Sequence, residues 1–121
     1  MLSSTIQREQ INGVEVIALR GQFIGGKETD DLRSVLMDVV RGGSRAVILD
    51  MSNVTYLNST ALGVLIAAHS SITKNNGKIV LCGLSQSLEN IFIITKLSMV
   101  FDIYADRQQA LDSLVSSSTI S

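Results

Sequence analysis

The sequence predicts an α/β fold: a single-layer mixed sheet, mostly parallel, that opens with an antiparallel hairpin and is packed with four helices. Three observations carry that expectation. Asn12-Gly13 stands between two stretches of alternating polarity, short apolar runs then alternate three times with segments of helical period, and the 121 residues hold no proline to interrupt either pattern.

Residues Thr5 to Glu9 and the set Val14, Val16 and Ala18 alternate with polar neighbours around Asn12-Gly13, the strongest short hairpin signal. Gly21, Gly25 and Gly26 punctuate the next segment. From Glu28 onward Leu32, Val35, Leu36, Val39 and Val40 recur at helical spacing, with acids in the first turn, Arg41 in the last and Gly42-Gly43 as the exit. Ala46 to Leu49 is a continuous apolar run ending at Asp50, expected to be a strand covered on both faces, and Met51 to Asn58 is expected to be a loop. Ser59 through Lys74 reads as a second helix stopped by Asn75-Asn76-Gly77, and Lys78 to Cys82 as the next strand. Ser85 or Ser87 caps a third helix running through Lys96. Phe101 to Tyr104 makes a last strand, and Asp106 with Gln109 supplies a capping box for a final helix through Val115. Residues 1–115 are expected to form one domain, and the serine-rich 116–121 to fray.

Composition narrows the function. A chain 45% hydrophobic can close one core of ordinary size, and a formal net charge of -1 gives no overall field to draw nucleic acid or an anionic membrane toward it. The apolar stretches Ala61 to Ala68 and Ile91 to Ile94 fall far short of the ~20 residues a membrane helix needs, so no direct membrane insertion is expected. The segment Met1-Leu2-Ser3-Ser4-Thr5 has neither the basic cluster nor the apolar core of a secretory signal, and a cytoplasmic location is the expectation. Cys82 is the lone cysteine; its apolar flanks suggest a buried thiol.

No enzyme, metal or cofactor is expected. His69 sits mid-helix among Ile66, Ala68 and Ile72 with no carboxylate beside it in sequence, so it reads as a packing or rim histidine. Glu28, Asp30 and Asp31 crowd a helix start, where they favour the dipole and face solvent. The run from Gly21 through Gly25-Gly26-Lys27 lacks the ending and spacing of a P-loop, which leaves turn formation as its reading.

The informative segment runs from Asp50 through Tyr56-Leu57-Asn58-Ser59-Thr60-Ala61-Leu62-Gly63-Val64. Consecutive hydroxyls appear where a helix begins, at the carboxyl edge of the sheet, where open α/β folds place their binding sites. Either Asn58 or Ser59 caps this helix, a role worth ~1 kcal/mol. A phosphate on Ser59 would meet unpaired N–H groups and the positive end of the dipole, yet would set roughly -1.5 to -2 charges in a neutral surface.

This segment resembles the signature of STAS domains, in which a strand ending in aspartate-leucine-serine leads through aromatic-hydrophobic-aspartate-serine-serine-glycine-leucine-glycine-valine into a helix. Asn76-Gly77-Lys78-Ile79-Val80-Leu81-Cys82-Gly83 is similar to the glycine-led strand of the family, and Ile94 to Leu97 with Phe101 to Tyr104 to its last helix-to-strand segment. With the hairpin, the likeness spans nearly the whole chain. In the anti-sigma factor antagonists of this family the first serine of the pair is phosphorylated by the anti-sigma factor, a serine kinase with a histidine-kinase-like ATP-binding fold. Carried over by position, the acceptor is Ser59. The resemblance implies that the dephosphorylated form captures the kinase through Gly25, Gly26, Asn58, Ser59, Thr60, Ala61, Gly63 and Val64, and that a serine phosphatase resets the phosphorylated form. A monomer or weak homodimer is expected.

The departures are specific. Asn58 replaces the usual aspartate, Ala61 replaces a glycine and adds a methyl where a kinase approaches, and Gln22 and Ile24 replace two acids of a family glycine-glutamate-leucine-aspartate. Phe23 and Ile24 either enlarge an apolar contact patch or tuck under the first helix. The alternative that Asn58 and Ala61 favour is an unphosphorylated STAS scaffold or assembly subunit of a signalling or transport complex.

Overall fold

Asn12 and Gly13 both take positive φ, 52° and 81°, the pair of left-handed residues that a two-residue hairpin turn needs. They join β1 (Ile6–Ile11) to β2 (Val14–Phe23) in an antiparallel pair. The chain continues through α1 (Gly26–Arg41), β3 (Ala46–Leu57), α2 (Ser59–Lys74), β4 (Lys78–Cys82), α3 (Gln86–Ile94), a 3-10 turn (Leu97–Met99), β5 (Asp102–Tyr104) and α4 (Arg107–Thr119). The computed structural model describes residues 5–119, with side chains through Val115.

The five strands lie in sequence order, and every pair after the hairpin is parallel. Because each crossover moves one strand in the same direction with the same hand, α1, α2 and α3 all fall on one face. The sheet buries alternate residues on its two sides, as the period of two requires. Ile17, Leu19, Val47, Leu49, Met51, Ile79 and Leu81 face the three helices in the larger core. Val14, Val16, Ile48, Val80 and Cys82 face the other way and are covered by Ala110, Leu111 and Leu114 of α4. The apolar run at Ala46 to Leu49 is therefore covered on both faces, as its composition predicts. Leu65 of α2 has no exposed surface; cutting it to Ala costs about 2–5 kcal/mol.

Three boundaries differ most from the sequence expectation; others, such as β5 starting at Asp102 rather than Phe101, move by one or two residues. The loop expected at Met51 to Asn58 is strand as far as Leu57: β3 continues past Asp50 and pairs with β2 through Arg20↔Asn53, Gly21↔Val54, Gln22↔Tyr56 and Phe23↔Leu57. Register shifts between Ala18 and Arg20 and between Gly21 and Gln22 each place an extra residue in β3. Those bulges space the buried Met51, Val54 and Leu57 three apart, which hides the period of two. The second difference is at α3, which ends at Ile94 rather than Lys96. Thr95 Oγ1 donates back to the Ile91 carbonyl at 2.7 Å, and Lys96 turns left-handed at φ 63°. The third is at α4, whose backbone is helical to Thr119, beyond Val115; the rest of the expected tail lies outside the described residues. Ser85, not Ser87, caps α3 by accepting from Leu88 N–H at 3.3 Å, and Asp106 caps α4 through Gln109 N–H at 2.9 Å.

Candidate functional site

The extension of β3 past Asp50 projects beyond β4, whose last pair is Asp50↔Cys82, so the carboxyl edge of the sheet carries a two-stranded arm. Phe23, Val54 and Leu57 root that arm in the core. Its tip is closed by Asn58 N–H donating to the Phe23 carbonyl at 3.0 Å. This bond brings the start of α1, at Ile24-Gly25-Gly26, beside the start of α2. Gly25 and Gly26 take φ of 95° and 72°, which an L side chain rarely adopts, and the buried Thr29 hydroxyl accepts from Gly25 N–H at 2.9 Å. The sharp turn is thus fixed, with no side chain standing between the two helix starts at those positions.

At the mouth of α2 the two candidate caps separate. Asn58, half-buried and extended, is the cap: its Oδ1 accepts from Ala61 N–H at 3.0 Å. Ser59 is the first helical residue and is exposed, and among the described residues its hydroxyl makes no hydrogen bond. Thr60 is exposed beside it. The first turn of α2 holds no acid, and the helix carries no Asp, Glu, Lys or Arg before Lys74. Its outward positions Ser59, Thr60, Gly63, Ile66 and Ala67 therefore form a neutral strip that starts at a free hydroxyl.

Two residues expected on the contact face are not presented there. Ala61 is fully buried in the core, so its methyl packs inward instead of standing in a visitor's path. Val64 is 7% exposed and forms the floor of a groove between α1 and α2. That groove, about 460 Å³, runs from Thr60 and Gly63 to Ser71 on one wall and from Arg33 past Met37 to Arg41 on the other. The structure divides Phe23 from Ile24: Phe23 has no exposed surface, and Ile24 is about half exposed.

Sequence reasoning missed Tyr56 and Met37, both nearly half exposed. Tyr56 lies in the part of β3 where the sequence suggests a loop. Met37 stands one position off the buried stripe Leu32, Leu36 and Val39, and only the α1 and α2 packing shows it lining a groove. A further element is Asp50, whose Oδ2 accepts from Arg107 and whose Oδ1 accepts from Ser52. Burial pushes the Asp50 carboxyl upward, but the Ser52 hydrogen bonds and the Arg107 guanidinium outweigh it and hold the group below the usual carboxylate range. His69 is half-buried with its ring edge-on to Phe101, centroids 5.0 Å apart, a packing arrangement. Among the described residues no cluster of three or more His, Cys, Asp or Glu could hold a metal ion, and no helix is long and apolar enough to cross a membrane.

The comparisons with known proteins agree with this fold. The anti-sigma F factor antagonist of Paenibacillus polymyxa is 23% identical over 111 residues, covering 90% of this chain and 93% of that one. Among solved structures, an anti-sigma factor antagonist from Mycobacterium paratuberculosis superposes with a TM-score of 0.79 at 24% identity, covering 90% of this chain and 92% of that one. The Bacillus cell fate determinant SpoIIAA in its phosphorylated form superposes with a TM-score of 0.73 at 17% identity, covering 90% and 98%. The family model described as the STAS domain matches residues 5–110, which takes in the hairpin, the bulged arm and the mouth of α2, and the chain belongs to the STAS domain family.

Proposed function

We propose that this chain is an anti-sigma factor antagonist that acts by capturing an anti-sigma factor and is released from it when Ser59 is phosphorylated. The observation that carries the reading is the division of labour at α2. Because Asn58 supplies the cap, the exposed Ser59 hydroxyl is free for a kinase and can change state without undoing the helix. A phosphate there would sit at the favourable end of the dipole while adding roughly -1.5 to -2 charges to an uncharged strip. The partner pays for that charge only if it is docked, so the modification discriminates bound from free.

The docking face in this reading comprises Ser59, Thr60 and Gly63 of α2 together with Ile24, Gly25 and Gly26 of the neighbouring turn. The partner is a serine kinase with a histidine-kinase-like ATP-binding fold, and a serine phosphatase restores the unmodified state. Of the two departures that favour an unphosphorylated scaffold, only Ala61 loses its force. Asn58 performs the capping of an aspartate without its charge, and the Ala61 methyl is buried away from the face.

The test is incubation with the cognate kinase and ATP, followed by intact-mass measurement. One phosphate should be added to the unaltered chain and none to Ser59→Ala, and Ser59→Glu should bind the unliganded kinase at least tenfold more weakly. A chain that gains no mass, or a Ser59→Ala variant phosphorylated to the same extent, rules out Ser59 as the acceptor.

A further inference from the structure

The near-zero net charge conceals a segregation of charge along the strand direction. Parallel order sends each strand one way and each helix back, so the amino ends of β3, β4 and β5 meet the carboxyl ends of α1, α2 and α3 at the end of the molecule opposite Ser59. Arg41, Arg45, Lys74 and Lys96 all lie at that end, all are exposed, and among the described residues none makes an ion pair. Asp102, at the start of β5, is held by Lys78 at 2.9 Å, and Glu15 and Asp38, which also lie toward that end, are held by Arg8 at 3.0 and 2.7 Å. The acids at helix starts, Glu28 and Asp30 of α1 and Asp106 before α4, belong to the other end.

Among the described residues, the same end carries the most exposed large apolar side chains. Ile94 is 79% and Met99 83% exposed, flanked by Ile93 and Val100. They stand on a corner made by the end of α3, the left-handed Lys96 and the 3-10 turn, which Phe92 and Phe101 anchor in the core with their rings edge to face. Helix dipoles account for Arg41 and Lys74, each in the last turn of its helix. They do not account for Lys96 and Arg45, nor for four apolar side chains held out into water beside them.

We propose that this end docks on an anionic lipid surface. Ile94 and Met99 enter the headgroup layer, and the four unpaired cations lie at the level of the lipid phosphates. A lipid surface suits the feature better than a protein does. The side chains protrude with little around them, whereas a protein contact concentrates its energy where anchors meet pockets, and the groove of this molecule lies elsewhere, between α1 and α2. Docked this way, the protein would hold the mouth of α2 away from the lipid and open to solution.

The experiment is co-sedimentation of the full chain with phosphatidylcholine vesicles, with and without an equal part of phosphatidylglycerol, at low and high salt. Binding is expected to the anionic vesicles only and to fall as salt rises. Lys74→Gln and Lys96→Gln should each weaken it about fivefold. The double variant Ile94→Ser with Met99→Ser should weaken it at least tenfold with an unchanged unfolding midpoint, because both side chains are exposed. Ser59→Glu should bind vesicles as the unaltered chain does, which separates this surface from the one at α2. Failure to bind phosphatidylglycerol vesicles at low salt overturns the proposal. So does binding that the Ile94 and Met99 changes leave intact, and so does salt-sensitive capture of an acidic protein through this face in place of lipid.

Discussion

Arg107 closes on Asp50 across 57 positions of sequence, its Nη2 and Nε donating to one carboxylate oxygen at 2.9 and 3.1 Å. The pair ties the first turn of α4 to the middle of β3, and a weaker contact from Arg107 Nη1 to Glu9 at 3.3 Å reaches β1. The Asp50 side chain is 14% exposed, so the pair is screened less than an ordinary surface ion pair. Its folded pKa lies below the usual carboxylate value of about 3.9. The stabilisation is therefore fully present above that value and is lost as pH falls through the folded one. Urea unfolding at neutral pH should find Asp50→Asn about 1–3 kcal/mol less stable. The difference should shrink when both proteins are compared near pH 3; a gap that widens with acid contradicts the assignment.

The separation of cap from acceptor makes a second expectation quantitative. Asn58→Ala removes the acceptor for Ala61 N–H and should cost about 1 kcal/mol in thermal or urea unfolding. Ser59→Ala removes a hydroxyl that bonds to nothing in the fold and should change stability by no more than about 0.5 kcal/mol. The reverse ranking would make Ser59 the cap.

The parallel sheet was legible because continuous runs such as Ala46 to Leu49 and Lys78 to Cys82 leave few other structures open. The hairpin was legible for a different reason: Asn12-Gly13 encodes its own backbone geometry. The arm of β3 was not, because two bulges break the alternation at the place where the site is built. Ala61 shows the limit of a motif, which gives a position in a list while the helix phase decides whether the side chain points out or in. The charged end was invisible for a simpler reason. Arg41, Arg45, Lys74 and Lys96 are scattered over more than fifty residues and are gathered only by topology.

Cys82 lies on the face of β4 covered by α4, with no exposed surface. Burial, with the nearby Asp50 carboxylate adding to it, pushes its thiol up to about 12. Reaction with a thiol reagent at neutral pH should be slow in the folded protein and rapid in denaturant. Leu111→Ser, which loosens α4 at the same cluster, should speed labelling at least tenfold while α1, α2 and α3 keep their places. Fast labelling of the unaltered protein would mean that α4 does not cover β4 in solution.

Gly63 offers the sharpest separation between folding and binding. It lies mid-helix and exposed on α2, and a Cβ built there meets nothing within 4 Å, so no internal contact requires glycine. A glycine in a helix interior costs roughly 0.5–1 kcal/mol relative to alanine. Gly63→Ala should therefore raise the unfolding free energy by about that amount. If the neutral strip of α2 is where a partner's backbone comes close, the same methyl should weaken capture of that partner by tenfold or more, measured by titration calorimetry. A variant that is both more stable and bound as tightly as before would move the docking face off Gly63.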